Sequence, residues 1–359
     1  MRKHFWIAAL VVLVAILLYL AYIAYREAYR RITERYKKRT EYIQRFLEKE
    51  HRHFPFRYFT DPEGKPLPVV AVTAFFRDED AEAKYHEYVK QGIHVFGITA
   101  YKSFPYKEML DKSEGEFERN NPFDYTGLIR NWLCCFKKKE TYGFTRWNNT
   151  VDISESDFYS ADTEPELPKK YDFIYVCIKD ADHCPMDGWN AVNRNFDLAK
   201  MCFPIMCKDY GLKGLIVGRE GCGLENEAYG DQLEVVGWLD YHILQERMRE
   251  SKFLFVPNLM DASPRVIAES ITKDLAVLMN RAILCGSKYV TKETGELFTD
   301  ETDLPSALDK LLNRYYKMSP KKWWKKHFSQ EKSQKELRNF LAKCYPGEMH
   351  GVERVRFIL

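Results

Sequence analysis

Two acidic residues, Asp261 and Glu269, have seven residues between them and enclose a serine, a proline and an arginine. Ser263 is a residue type that caps helices, and Pro264 suits a first helical position, so the pattern predicts that a helix begins here. The amides at a helix N-terminus attract phosphate, and Arg265 would add a positive charge in the first turn. These residues therefore predict a site for a diphosphate, with hydroxyl groups held by the two carboxylates.

The same stretch resembles the E-x7-E element of retaining glycosyltransferases of the GT-B fold, the family-four group that includes sucrose synthase-like and bacterial lipopolysaccharide enzymes. That group usually has glutamate at the first acidic position, where this chain has Asp261. The similarity covers about residues 171–300. Residues 213–218 (KGLIVG) are similar to the strand before the nucleotide loop, residues 235–238 (VVGW) to the V-x-G element, and residues 241–257 to the helix and strand that follow.

The resemblance implies a nucleotide-diphosphate sugar as the donor and gives a role to each matching position. Glu269 would bind the ribose diol, and Asp261 would contact the donor sugar. Arg194 and Lys179 would form the basic pair that neutralises the diphosphate leaving group. Such a pair, helped by helix amides, stabilises developing charge electrostatically, so the resemblance implies transfer with retention, no metal and no cofactor.

A glycine-rich loop follows the predicted strand at residues 213–217. In residues 218–223 (GREGCG), Gly218 and Gly221 would let the backbone approach the donor nucleotide closely. The spacing is not G-x-G-x-x-G, so the loop does not predict a nicotinamide site.

Two other functions stay open at this point. Asp78 and Asp80 lie in a D-x-D pattern that could hold a divalent metal in a metal-dependent transferase, although acidic residues also suit a helix start. The aspartate at position 261 is also compatible with a catalytically silent GT-B-like binding module.

The elements that would position these residues alternate between strands and helices, which indicates an α/β fold with parallel sheets. We expect two Rossmann-like domains: an N-terminal acceptor domain over residues 66–165 and a nucleotide-sugar-binding domain with C-terminal helices over residues 170–359. The acceptor would be a glycan, a lipid or a protein. The first domain should contain a strand at Val69–Phe76, a helix at Glu79–Gln91 and a strand at Ile93–Thr99. Ligands of such sheets bind beyond the carboxyl ends of the strands.

The second domain should open with a strand at Tyr171–Ile178 and a helix at Arg194–Tyr210. The predicted elements that follow are strands at 213–217, 235–237, 253–256 and 276–279, with helices at 241–250 and 264–272.

The N-terminus carries one long apolar run. Residues 5–25 contain no charge, glycine or proline, and a helix of that length spans roughly 31 Å, about the thickness of a hydrocarbon core. We therefore expect a single-pass membrane anchor over residues 1–25 and a basic helical stalk and linker over residues 26–65. The basic stalk could contact anionic membrane lipid.

Charge and cysteine content bear on location and partners. Two basic residues precede the apolar run and seven follow it by residue 39, which predicts that the large C-terminal part lies in the cytoplasm. Nine cysteines without a regular framework agree with a reducing compartment, and a Golgi or ER lumenal orientation is the alternative. A net charge of +3 gives no reason to expect a nucleic acid partner.

Overall fold

The computed structural model describes residues 2–49, 53–100, 104–110, 115–161, 163–224 and 229–357 of the chain. Two six-stranded sheets form the framework. The first has the strand order β12-β1-β2-β3-β4-β5, and the second has the order β11-β10-β9-β6-β7-β8. Every described pair in the second sheet is parallel, whereas β1 pairs antiparallel with both β2 and β12 at one edge of the first.

The first domain follows a long N-terminal helix. Its elements are α1 (Arg2–Lys49), β1 (Phe56–Thr60), β2 (Pro66–Val72), α2 (Glu79–Gln91), β3 (His94–Ile98), α3 (Glu116–Asn120), α4 (Tyr125–Leu128), β4 (Asn131–Leu133) and β5 (Asn149–Val151). Alternate residues of β2 face opposite sides of the sheet: Val70 and Val72 pack with α2, and Val69 and Ala71 pack on the other face. A strand that is buried on both faces has the continuous apolar sequence seen here.

The second domain has the same layered arrangement. Its elements are β6 (Tyr171–Val176), α5 (Trp189–Asn193), α6 (Phe196–Pro204), β7 (Gly214–Val217), β8 (Leu233–Val236), α7 (Tyr241–Arg249), β9 (Ser251–Val256), α8 (Arg265–Thr272), β10 (Ala276–Asn280), β11 (Gly295–Phe298), α9 (Leu304–Arg314) and α10 (Pro320–His327). Helices α5, α6 and α9 cover one face of the sheet, and α7, α8 and α10 cover the other. The α/β class predicted from the sequence is confirmed.

The C-terminal end of the chain returns to the first sheet. Helix α11 (Gln330–Cys344) packs Leu337 and Leu341 against the face that carries Val69 and Phe96. Strand β12 (Arg356–Phe357) then pairs with β1. The two domains are therefore connected twice, once by the segment after β5 and once by the segment before α11.

Helix α1 continues well beyond the apolar run, to Lys49. Its last turns pack Ile43 and Leu47 into the core of the first domain, and Arg39 donates a hydrogen bond to the carbonyl of Gly92. Over the residues described, no helix combines the length and apolar character that a membrane crossing needs, so the structure does not support the predicted anchor at residues 1–25. Residue 1 and the side chains of residues 2–12 lie outside the described residues.

Several element boundaries differ from those predicted. The helix at Glu79–Gln91 is confirmed, capped by Asp78, whose carboxylate accepts a hydrogen bond from the amide of Ala81, and by Gly92. The strand predicted at Val69–Phe76 ends at Val72, because the next amide, of Thr73, donates to the carbonyl of Pro55 instead of a neighbouring strand.

The helix predicted at Arg194–Tyr210 was also wrong at its start. It is divided into α5 and α6 by a break at Arg194 and Asn195, and it finishes in a π-helical turn at Ile205–Asp209.

Four of the nine cysteines form disulfides, which the sequence reasoning did not anticipate. Cys135, predicted to be a buried hydrophobic residue, bonds to Cys285, and Cys184 bonds to Cys222. The first bond joins the loop after β4 in one domain to the segment after β10 in the other. Because 150 residues separate its partners, spacing along the chain could not reveal it.

Candidate functional site

The carboxyl ends of the two sheets face each other across a cleft. Besides the disulfide, Lys137 after β4 donates a hydrogen bond from Nζ to the carbonyl of Arg281 after β10, at 2.6 Å. Ser154 after β5 bonds to Ser263 after β9, with 2.7 Å between their hydroxyl oxygens. Since ligands of parallel sheets bind beyond the carboxyl ends of strands, this cleft is where a site is expected.

A cavity of about 480 Å³ opens at this cleft. Five of the predicted site residues line it together: Arg194, Asp261, Ser263, Arg265 and Glu269. The lining also includes one residue from the end of the first sheet, Ala100, and polar or aromatic residues that the sequence did not single out, among them Tyr159, Trp189, Asn190, Asn193 and Tyr241.

Asp261 and Arg194 form an ion pair inside this cavity. Nη1 of Arg194 lies 2.6 Å from Oδ2 of Asp261, and both side chains are largely withdrawn from solvent. The other oxygen, Oδ1, accepts a hydrogen bond from the amide of Ser263 at 3.2 Å. The carboxylate thus holds one cation at the cavity wall and fixes the loop that leads into α8.

The break between α5 and α6 brings Arg194 to the cavity. Asn195 has the left-handed backbone conformation, with φ 49°, which asparagine tolerates better than most residues. The carboxylate of Asp180 accepts hydrogen bonds from the amides of Asn190 and Ala191 and so satisfies the start of α5. The amide of Leu259 donates to the carbonyl of Asn193, which ties the end of α5 to the Asp261 loop.

Ser263 does not cap a helix, which corrects the prediction. Helix α8 begins at Arg265, Pro264 is the residue before it, and no side chain caps this end. The hydroxyl of Ser263 instead contacts the hydroxyls of Ser154 and Ser156. These serines start a short segment, residues 154–159, that we call the strap because it leaves the first domain and crosses onto the second.

Glu269 is buried in the first turns of α8, and both of its oxygens are engaged. Oε1 accepts a hydrogen bond from the hydroxyl of Tyr159 at 2.9 Å, and Oε2 accepts one from Nε2 of Gln245 at 3.4 Å. Burial, followed by the nearby Glu269 carboxylate, raises the pKa of the Tyr159 hydroxyl above its usual range. Tyr159 therefore stays protonated and acts as a donor to Glu269 at neutral pH.

The remaining predicted residues lie outside the cavity wall as the described residues define it. The ammonium group of Lys179 pairs with the exposed Asp182 at 3.1 Å. Gly218 and Gly221 lie in the loop after β7, both with positive φ. At Gly218 (φ 95°) a β-carbon would come within 2.8 Å of the carbonyl oxygen of Cys177, so this position requires glycine for close approach of the two strand ends.

Sequence reasoning missed Tyr159 because its partner in the site is 110 residues away along the chain. The strap carried a weak signal. Residues 154–158 alternate serines and carboxylates (SESDF), which suggested a solvated linker, yet all five are buried. Their polar groups bond to residues of the second domain, which is what buried polar groups require.

The alternative D-x-D site has an observed structural use. Oδ1 of Asp78 accepts the amide of Ala81 at 2.8 Å and caps α2, where acidic residues also complement the helix dipole. Across the described ranges, no cluster of three or more histidine, cysteine or acidic side chains is arranged to hold a metal ion.

No protein-family model matches the chain, and no curated protein sequence matches it. Solved structures do. The lipopolysaccharide outer core galactosyltransferase WaaB is similar over 87% of this chain and 81% of its own, with a TM-score of 0.53 and 14% identity. Sucrose-phosphate synthase from Thermosynechococcus elongatus is similar over 78% of this chain and 74% of its own, with a TM-score of 0.50 and 14% identity.

TarM is similar over 69% of this chain, with a TM-score of 0.51 and 12% identity. The matched part is 50% of TarM, so this chain spans about half the length of that protein. The chain has the GT-B fold. At these identities the likeness establishes the arrangement of the two domains, and the chemistry of the GT-B cleft has to be argued from the residues that line it.

Proposed function

We propose that the chain is a glycosyltransferase that takes a sugar from a nucleotide-diphosphate donor bound in the cleft. The observation that carries the proposal is the convergence of Arg194, Asp261, Arg265 and Glu269 on one cavity between two GT-B domains. Two cations and two carboxylates at this place suit a ligand with an anionic diphosphate and neutral hydroxyl groups.

The chemistry that we propose is electrostatic. Arg194 and Arg265 would stabilise the negative charge that develops on the diphosphate as the bond to the sugar breaks. Glu269 would accept hydrogen bonds from the ribose hydroxyls, and Asp261 would orient Arg194 and contact the donor sugar. Lys179 and the loop with Gly218 and Gly221 would reach the donor only at the margin of the site. Retention and independence of metal and cofactor are part of the proposal and rest on the resemblance of the acidic element.

The acceptor would approach from the first domain and be a glycan, a lipid or a protein. One solved TarM structure is described as a complex with Fondaparinux, alpha-GlcNAc-glycerol and UDP, which shows that a GT-B protein with a similar domain arrangement binds a nucleotide and sugar-containing ligands. For this chain, a glycan acceptor is proposed by analogy.

The test is release of nucleoside diphosphate from a panel of nucleotide sugars by the purified full chain, with and without chelator. We expect one donor to be consumed equally in both conditions. Arg194→Ala should abolish release, whereas Lys208→Ala, which removes an exposed cation of the same domain, should not. If the wild type binds a nucleotide sugar but never releases its sugar, the chain is the silent binding module; activity lost in chelator would support the metal-dependent transferase.

Location is also a proposal. Membrane attachment through residues 5–25 rests on the sequence alone, and contact of the basic stalk with anionic lipid depends on it. The disulfides Cys135–Cys285 and Cys184–Cys222 favour the lumenal alternative over the cytoplasm, because disulfides persist in oxidising compartments. In sealed microsomes, a lumenal chain would resist added protease until detergent is present, and a cytoplasmic chain would be digested at once.

A further inference from the structure

The strap contacts the cavity through one side chain, that of Tyr159. Its ring lines the cavity, its hydroxyl donates to Oε1 of Glu269 at 2.9 Å, and its carbonyl accepts a hydrogen bond from Nε1 of Trp324 at 2.9 Å. Three hydroxyl and carboxylate groups fix the strap before this residue: Ser154 and Ser156 contact Ser263, and Asp157 accepts from Tyr289. Tyr159 is therefore held from both sides.

The hydrogen bond from Tyr159 limits how Glu269 can turn. A carboxylate has about four lone-pair positions on two oxygens, and here one is taken by Tyr159 and another by Gln245. The two donors come from different elements, so the plane of the carboxylate is set between them. The remaining lone pairs are left for a ligand in the cavity.

We propose that Tyr159 is a positioning residue that orients Glu269 toward the ribose of a nucleoside diphosphate and so determines preference for ribose over 2′-deoxyribose. This inference rests on the proposed function, since it needs Glu269 to face the ribose. A ligand with both ribose hydroxyls would use the fixed carboxylate, and a 2′-deoxy ligand would lose one of those hydrogen bonds. Without the Tyr159 hydroxyl the carboxylate would turn, and the ribose form would lose its advantage.

The experiment measures binding of UDP, ADP and GDP to the full chain by calorimetry, and then of the 2′-deoxy form of the best binder. Hydrogen bonds to a charged group support a preference of roughly tenfold or more for the ribose form in the wild type. Glu269→Gln should reduce this ratio because the amide accepts through one oxygen only. Tyr159→Phe should reduce the ratio several-fold mainly by weakening the ribose form, with little effect on the 2′-deoxy form.

Tyr210→Phe is the matched control, since that hydroxyl bonds to Pro305 and Asp309 away from the cavity and its loss should leave the ratio at the wild-type value. Tyr159→Phe keeps the ring that lines the cavity, and its thermal unfolding should remain cooperative. A Tyr159→Phe ratio equal to that of the wild type, or an equal loss for both ligands, would overturn the role of Tyr159. If the wild type binds none of the three diphosphates, the proposed function itself fails.

Discussion

Asp261 spends most of its hydrogen-bonding capacity on the protein. It pairs with Arg194, accepts the amide of Ser263, and lies 3.4 Å from Nδ2 of Asn258. The sequence placed Asp261, Arg194 and Glu269 in one site because their spacing resembles a known element. It could not show that Asp261 binds Arg194, since the two are 67 residues apart and meet only through the break after α5.

Substituting Asp261 tests this residue-scale account. Asp261→Asn removes the ionic partner of Arg194 and should lower kcat/KM for the donor by roughly 10- to 100-fold, the effect of losing a hydrogen bond to a charged group. Asp261→Glu keeps the charge and should retain more activity than the asparagine variant. Asp172→Asn is the control, because Asp172 pairs with Lys252 at 2.6 Å outside the cavity. An asparagine variant as active as the wild type would remove Asp261 from the account.

Among the elements, helices with local signals were predictable and irregular segments were not. The cap at Asp78 and the left-handed Gly92 define α2 from local sequence, and both boundaries were found. Strands β1 and β12 are short edge strands whose pairing joins opposite ends of the chain, which periodicity does not reveal. The strap was missed because its polar residues are satisfied only by tertiary contacts.

The strap supplies a prediction about stability. Asp157 is buried, accepts from Lys288 at 2.7 Å and from the Ser154 amide at 2.9 Å, and also bonds the Tyr289 hydroxyl. Asp157→Asn leaves Lys288 without its buried partner and should lower the free energy of unfolding by about 3 kcal/mol. Asp152→Asn, which removes an exposed partner 3.3 Å from the same lysine, should cost less than about 1 kcal/mol. Urea denaturation measures both, and equal effects would contradict the importance of the strap.

At the scale of the whole molecule, the two domains are held together by more than the strap. The bond Cys135–Cys285 closes the cleft on the side of β4 and β10, and the amide of Cys285 donates to the carbonyl of Asp261. The disulfide therefore also supports the loop that carries Asp261. The sequence indicated two α/β domains, but the bond between them and the return of α11 to the first sheet depend on contacts between distant parts of the chain.

Cysteine chemistry gives a direct check on this arrangement. Alkylation of the unfolded chain without reductant should label five cysteines by mass spectrometry, and prior reduction should raise the number to nine. Removing the interdomain bond as Cys135→Ala with Cys285→Ala should lower stability by about 2–5 kcal/mol. Labelling of all nine cysteines in unreduced protein from an oxidising compartment would contradict both disulfides.

The central claim is that the cleft cavity binds the donor nucleotide, and a crystal structure of the full chain with a bound nucleoside diphosphate tests it most directly. We predict that the diphosphate oxygens lie within hydrogen-bond distance of Arg194 or Arg265 and that a ribose hydroxyl donates to Glu269. A nucleotide bound with its diphosphate away from both arginines, or outside the cleft, would contradict the account.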